Sequence, residues 1–232
     1  MFAFPLLLAS DLNPAPNAGE QAAILRRIQL KGRYVFDNFA GIRNRRHSVI
    51  QIRDGDSGEL QTTIRLTADR LDYYDRMPEV TVIRYNKNDR ELLPQEFENA
   101  EFAPPLPLFD EDGEKNYRFR LMPPVTVDGV LCHRLRVDPV AATRRHFVGD
   151  LYFTVQDLQL KYLKGSYARL QIGLQSFSFE FYFSEHPDGV PVFTRGRAEG
   201  RVYFPLVRNE SIVSYMKIEN QEPVRRGPRF ER

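Results

Sequence analysis

The hydrophobic pattern changes period once along the chain. Ile24, Ile28, Val35 and Phe39 fall within about 60° of one another at about 100° per residue, with Arg26 and Arg27 well off that stripe. This predicts a helix over residues 18–38, although Lys31 lies beside the stripe and Gly32 weakens it. Beyond the helix, apolar positions recur mainly with period two. The run 48–53 meets the turn-like Asp54-Gly55-Asp56-Ser57-Gly58, after which Leu60, Thr62, Ile64 and Leu66 alternate with mostly polar neighbours, a β-hairpin signature. Residues 80–85 read as a strand ending in the turn 86–89. The region 91–116 is irregular, with a short helix near Pro94–Phe102, a Pro-rich stretch at 104–108 and an acidic loop at 110–114. Strands resume over 117–121, 130–137, 147–154, 158–163, 170–183, 190–194, 201–206 and 211–218. Roughly ten strands joined mostly by short Gly, Asp and Pro turns indicate one antiparallel sheet, strongly curved or nearly closed. No alternation of helices with strands supports a doubly wound fold, and no internal repeat is evident.

The 232 residues suit one large domain or two small ones. The expected organisation is a signal-like segment or tail at 1–16, one domain over 17–220 and a basic flexible tail at 221–232. Residues 2–10, Phe-Ala-Phe-Pro-Leu-Leu-Leu-Ala-Ser, resemble the second half of a secretory signal peptide, with no Lys or Arg ahead of them. No stretch reaches the roughly 20 apolar residues of a membrane span. A net charge of +2 argues against a dedicated nucleic-acid partner, which would demand a clear basic excess. The basic C-terminal end could touch an anionic membrane surface, and a solvated tail is the simpler reading. A single cysteine, Cys132, excludes a disulfide framework within the chain.

No catalytic constellation stands out. His47, His133, His146 and His186 are scattered, with no metal-ligand spacing. His133 and Cys132 are strand neighbours and point to opposite faces, so they cannot form a nucleophile–base pair. Asp54 and Asp56 begin like a calcium loop, but the glycine is misplaced and the twelfth position is Arg65, so the segment reads as a turn. Asp110, Asp112 and Glu114 read as a solvated loop. No cofactor or metal is expected.

The concentrated feature is aromatic. Phe177, Phe179, Phe181 and Phe183 alternate with Ser178, Glu180 and Tyr182, which sets four phenyl rings on one face of a strand. Leu131, Leu135 and Val137 line one face of another strand, shared with His133, and Tyr152 adds aromatic surface in the same half. Core packing accounts for any one of these residues. As a set they suit an apolar cavity, because a curved sheet with one helix can cover only part of its concave face.

The order of elements over 127–194 carries a resemblance. A turn at Asp128-Gly129 opens a strand ending at Pro139. Phe147-x-Gly149-Asp150-Leu151-Tyr152-Phe153 and Leu158-x-Leu160-Lys161-Tyr162 follow, then the aromatic strand and Asp188-Gly189-Val190-Pro191. With the preceding helix, this resembles the LolA/LolB-like superfamily of periplasmic lipoprotein and lipid carriers, over about 20–218. The resemblance implies an α+β, mainly β fold: an unclosed β-barrel with an N-terminal helix and short lid helices, its apolar interior accepting acyl chains. It also implies an arginine near the start of the sheet that couples lid closure to cargo, for which Arg43, Arg45, Arg46 and Arg53 are the candidates.

The expected protein is a monomeric, non-catalytic periplasmic carrier sheltering a lipid or lipoprotein acyl chain. Phe177, Phe179, Phe181, Phe183, Leu131, Leu135, Val137 and Tyr152 are the candidate cavity lining. The alternative is an interaction module of the cell envelope, using the same fold to hold a protein partner through the segment 103–108. A third reading, a hydrolase or isomerase, requires His133 or His146 beside carboxylates in a pocket.

Overall fold

The computed structural model describes residues 17–96, 106–205 and 208–227. Asn17 and Glu20 start the helix α1 (Ala18–Asn38) with a capping box: the Glu20 amide donates to Asn17 Oδ1 at 3.0 Å, and the Asn17 amide donates to the Glu20 carboxylate at 2.9 Å. The helix spans the residues its apolar stripe predicts. Ile28 and Val35 of that stripe are buried. Lys31, beside the stripe, reaches Glu185 at 2.6 Å. Gly32 has a packing role, since a Cβ there would lie 2.4–2.7 Å from ring and β carbons of Phe109.

Among the described residues eleven strands follow: β1 (Phe39–Asp54), β2 (Leu60–Tyr73), β3 (Glu79–Lys87), β4 (Arg90–Leu92), β5 (Tyr117–Val127), β6 (Val130–Pro139), β7 (Phe147–Thr154), β8 (Leu160–Tyr167), β9 (Leu174–Glu185), β10 (Pro191–Phe204) and β11 (Arg208–Arg225). They form one sheet in the order β4-β3-β2-β1-β11-β10-β9-β8-β7-β6-β5, with antiparallel pairing throughout. Each neighbour is sequential except β1 with β11, which pair from Phe39 opposite Arg225 to Asp54 opposite Glu210. This is the order of an up-and-down barrel left open between β4 and β5. The connection 93–116 joins the two free edges and holds a 3₁₀ turn (Pro94–Glu96) and the short helix α2 (Gly113–Asn116). On the β5 edge, Pro123 and Pro124 fall at a register shift, where prolines suit a strand with no outer partner.

The architecture is the α+β, mainly β, unclosed curved sheet expected, with differences in detail. The stretches 190–194 and 201–206 lie in one continuous strand, β10, up to Phe204. The polar, Gly-containing middle of β10 gives no apolar alternation, but a Cβ at Gly196 would lie 2.3 Å from Phe181, so the glycine makes room for that ring. β9 starts at Leu174 rather than 170. Gly173 just before it holds φ at +86°, and Phe204 occupies the space its side chain would need. Residues 221–225, expected in a tail, belong to β11, and Arg226 donates to the Phe36 carbonyl at 2.8 Å. The helix expected over Pro94–Phe102 is a 3₁₀ turn at its start, and its end lies outside the described residues, as do 1–16 and Pro104-Pro105.

Directly opposed residues share a face of the sheet. One row crosses every strand: Leu121, Leu135, Leu151, Leu163, Phe181, Gly196, Met216, Ser48, Leu66, Tyr85 and Leu92. The helix packs on this face. Ile28 joins Tyr117, Leu135, Val137, Phe147, Leu151, Phe153, Leu158 and Phe179 in the main core, so the β5–β9 half is the half that α1 covers.

Candidate functional site

Mainly three elements enclose an apolar cavity of about 230 Å³ at one end of the covered half, with Tyr74, Glu185 and Pro191 completing its wall. Helix α1 supplies Ile28, Gly32, Val35 and Phe36, the connection before α2 supplies Pro107, Leu108 and Phe109, and β7–β8 supply Leu151, Phe153, Leu158, Leu160 and Leu163. The sequence builds this wall by period. Leu151 and Phe153 are two apart on β7, whereas Ile28 and Val35 are two turns apart on α1, so both sets face the same space. Lys31 and Glu185 sit at the cavity and neutralise each other at 2.6 Å. The Lys31 ammonium also donates to the Asp157 carbonyl at 3.5 Å, tying α1 to the β7–β8 turn.

One polar group in the wall has no partner among the described residues. Tyr74 Oη is buried without a hydrogen bond, and burial, partly countered by Arg226, pushes its phenol pKa up. It therefore remains a neutral donor at any physiological pH. Phe109, the lid-like residue of the wall, stacks on Phe119 with ring centroids 5.7 Å apart.

None of the eight residues expected to line the cavity does so in this arrangement. Leu135, Val137 and Phe179 are core residues, with Phe177 and Phe181 packed against that core. The four phenylalanines do share a face and continue an aromatic row: Tyr167–Phe177, Phe177–Phe179, Phe179–Phe181, Phe181–Phe193 and Phe183–Phe193 have centroids 4.7–6.0 Å apart. Leu131, near the end of its strand, is 40% exposed. Tyr152 is on the opposite face. It stands across from Arg134 and Tyr162, while its neighbours Leu151 and Phe153 point inward. Its 5% exposure comes from an outer tyrosine stack, Tyr152–Tyr162–Tyr182, with centroids 5.2 and 4.7 Å apart. The alternation Phe147, Gly149, Leu151, Phe153 against Val148, Asp150, Tyr152 was the available signal.

Towards β1 and β2 the helix-facing surface becomes polar. Asn44, Arg46, Arg70 and Asp72 form a half-buried cluster: Asp72 accepts from Asn44 Nδ2 at 2.8 Å, from Arg46 at 2.7 Å and from Arg70 at 3.0 Å. Burial raises the Asp72 carboxyl pKa, but the two guanidinium charges and the hydrogen bonds outweigh it, and the net position is below the usual carboxylate range. Of the four candidate arginines, only Arg46 shares this face. Arg43, Arg45 and Arg53 alternate to the other side, where Arg45 pairs with Asp69 at 2.7 Å. Arg46 also lies 5.9 Å from the Phe193 ring, joining the polar cluster to the aromatic row.

The remaining chemistry-bearing residues stay apart. Among the described residues, no group of three or more His, Cys, Asp or Glu is placed to hold a metal. His146 is bonded to Thr143 at 2.6 Å, and burial, aided by the Arg27 charge, lowers the His133 pKa; among the described residues neither histidine has the carboxylate partner a hydrolytic reading requires. Asp54 accepts from the amides of Asp56 and Ser57, which makes its segment the turn expected. Cys132 is buried, and burial raises its thiol pKa.

No protein-family model matches the chain, and neither does any curated protein. Solved structures similar to it include a LolA superfamily protein of Nitrosomonas europaea, at 11% identity and TM-score 0.40, covering 88% of this chain and 94% of that one. Another is a domain of Vibrio parahaemolyticus described as an outer membrane lipoprotein-sorting protein, at 8% identity and TM-score 0.39, covering 89% and 93%. A DUF1329 family protein of Desulfovibrio piger has 13% identity and TM-score 0.47, covering 88% and 92%.

Proposed function

We propose that this protein is a non-catalytic carrier that shelters an acyl chain of a lipid or lipoprotein in the cavity beneath α1, and that it works in the periplasm. The observation that carries the reading is the cavity wall, which is aliphatic and aromatic apart from the Lys31–Glu185 pair and the unpartnered Tyr74 hydroxyl. Each methylene removed from water contributes about 0.8 kcal/mol, so a chain of some sixteen carbons would gain on the order of 10 kcal/mol from shelter. Tyr74 is suited to donate to an ester or carboxyl oxygen at the chain's polar end. The buried Cys132 is the only cysteine in the sequence, so an oxidising compartment leaves no exposed thiol to protect.

At about 230 Å³ the cavity is smaller than the roughly 300–1,000 Å³ typical of ligand sites. A full chain therefore requires the space to widen, as it would if the Phe109 segment moved off α1. Native mass spectrometry and lipid extraction of the purified protein test the reading. Recovery of an acyl-bearing ligand, or saturable uptake of a fatty acid, supports it; an interior that neither holds nor takes up a chain refutes it. The same small volume favours the second reading, an envelope interaction module. That reading gains if a protein partner binds while no lipid does.

A further inference from the structure

The outward face of α1 carries a charge pattern that differs from the sheet's. At about 100° per residue, Leu30 lies at the centre of the exposed arc, with Ala23 and Tyr34 within about 40° of it. Arg26 and Arg33 border one side of the arc and Arg27 the other. Leu30 is 57% exposed and Tyr34 48%. Many arginines on the sheet are tied to carboxylates, as in Arg45–Asp69, Arg120–Asp138, Arg134–Asp150 and Arg208–Glu210. Arg26, Arg27 and Arg33 have no ion pair among the described residues. Carboxylates lie close by without an ion pair to them: Asp110 and Glu114 line a pocket with Arg26, Leu30 and Arg33, where Glu114 accepts from Gln29 and Arg33 reaches the backbone carbonyl of Asp110, and Glu20 is held in the cap.

Apolar surface continues past the helix. Lys31 bonds the Asp157 carbonyl in the β7–β8 turn, and Val155 of that turn donates to the Leu131 carbonyl at 3.1 Å. Val155, Leu131 and Val130 are all exposed there. We infer that this face, centred on Leu30 and Tyr34 with Arg26, Arg27 and Arg33 around them, docks the protein on the surface of an anionic phospholipid bilayer. Three guanidinium groups without a carboxylate partner complement phosphate headgroups, and the leucine and tyrosine between them enter the headgroup–acyl boundary as in an interfacial helix. The inference goes beyond the carrier reading and does not depend on the cavity being filled. Were both to hold, Gly32 and Lys31 would place the cavity beside the docked face.

Co-sedimentation with vesicles tests it, using phosphatidylcholine alone and phosphatidylcholine mixed with phosphatidylglycerol. The full chain is expected to bind the mixed vesicles, less so as salt rises, and to bind the neutral ones weakly. Near an anionic surface each arginine contributes about a fivefold change in partitioning, so the combined variant Arg26→Gln, Arg27→Gln, Arg33→Gln should lose on the order of 100-fold. The matched control Arg118→Gln, Arg144→Gln, Arg169→Gln removes the same charge from exposed sites off the helix and should lose little. A Tyr34→Trp variant, the chain having no other tryptophan, should shift its emission to the blue on binding. Equal binding to both vesicle types, equal loss in both triple variants, or no emission shift from the introduced tryptophan would overturn the proposal. So would capture of a protein partner by this face with no vesicle binding at all.

Discussion

Replacing Gly32 by alanine sets two effects of known sign against each other. A glycine in a helix interior is about 1 kcal/mol less favourable than alanine, so propensity alone predicts a more stable protein. Contact predicts the reverse. The added Cβ would stand 2.4 Å from Phe109 Cδ2, 2.5 Å from its Cγ and 2.7 Å from its Cβ. Two of those atoms lie at the base of the side chain, so rotating the ring does not relieve the overlap and the segment 106–110 must retreat. Retreat forfeits the Phe109–Phe119 stack, worth about 0.5–1.5 kcal/mol beyond area, and part of the roughly 1.5–3 kcal/mol that burying a phenylalanine contributes. The loss of about 2–3 kcal/mol exceeds the gain of about 1 kcal/mol, and Gly32→Ala should destabilise by about 1–2 kcal/mol. Urea unfolding followed by circular dichroism measures the difference. The control is Gly19→Ala in the same helix, where the Cβ meets only Asn17 Oδ1 at 3.4 Å and the result should be neutral or stabilising. If Gly32→Ala is as stable as the unmodified chain or more so, Phe109 is not docked against α1 at Gly32.

Other consequences are as direct. Leu163→Trp should fill the cavity and weaken uptake of a fluorescent fatty acid at least tenfold, with its Tm moving only slightly, read by titration and calorimetry. Asp72→Asn leaves Arg46 and Arg70 without their shared carboxylate and should cost about 2–3 kcal/mol in urea unfolding. Because the Asp72 pKa is lowered in the fold, its contribution is present above the unfolded value of about 3.9 and is lost as pH falls through the folded value, so the variant should flatten the stability curve below about pH 4. Burial, aided by Arg27, lowers the His133 pKa, so the unfolded chain takes up the proton first and stability falls as pH drops below about 6.5. His133→Gln should remove that slope between about pH 6.5 and the folded value, and an unchanged slope would show that another group causes it.

Periodicity made the large elements legible, because 3.6 and 2.0 are written directly into residue order. The stripe through Ile28 and Val35 gave α1 its limits, and alternation gave most strands. β10 was legible only at its ends, since Gly196 serves a ring on another strand and leaves no local signal. The cavity was harder to read for the same reason. Its walls join residues on α1, the 106–110 segment and β7–β8, and only the three-dimensional arrangement decides that Phe179 is core while Phe153 faces the space. The shared face of the four phenylalanines was readable; what covers that face was not. Tyr152 was misplaced through parity, with Asp150 and Val148 marking its side as the outer one.

The pairing of β1 with β11 also bears on how the chain reaches its fold. Strands β1 to β4 and β5 to β11 are each meanders whose neighbours are local, and each can form with little loop closure. Joining the two requires contact between Phe39 and Arg225, near opposite ends of the sequence, so that seam is the expected late step of folding. A circular permutant would test this by moving the seam. New ends would be cut in the 93–116 connection, and a linker from residue 227 to residue 17 would run back along about 30 Å of helix. In that chain β11 is followed by the linker, α1 and then β1, and every strand pairs with the next strand in sequence. Its folding should be faster although the folded contacts are unchanged, which would place the cost of this architecture in the order of the chain rather than in the sheet.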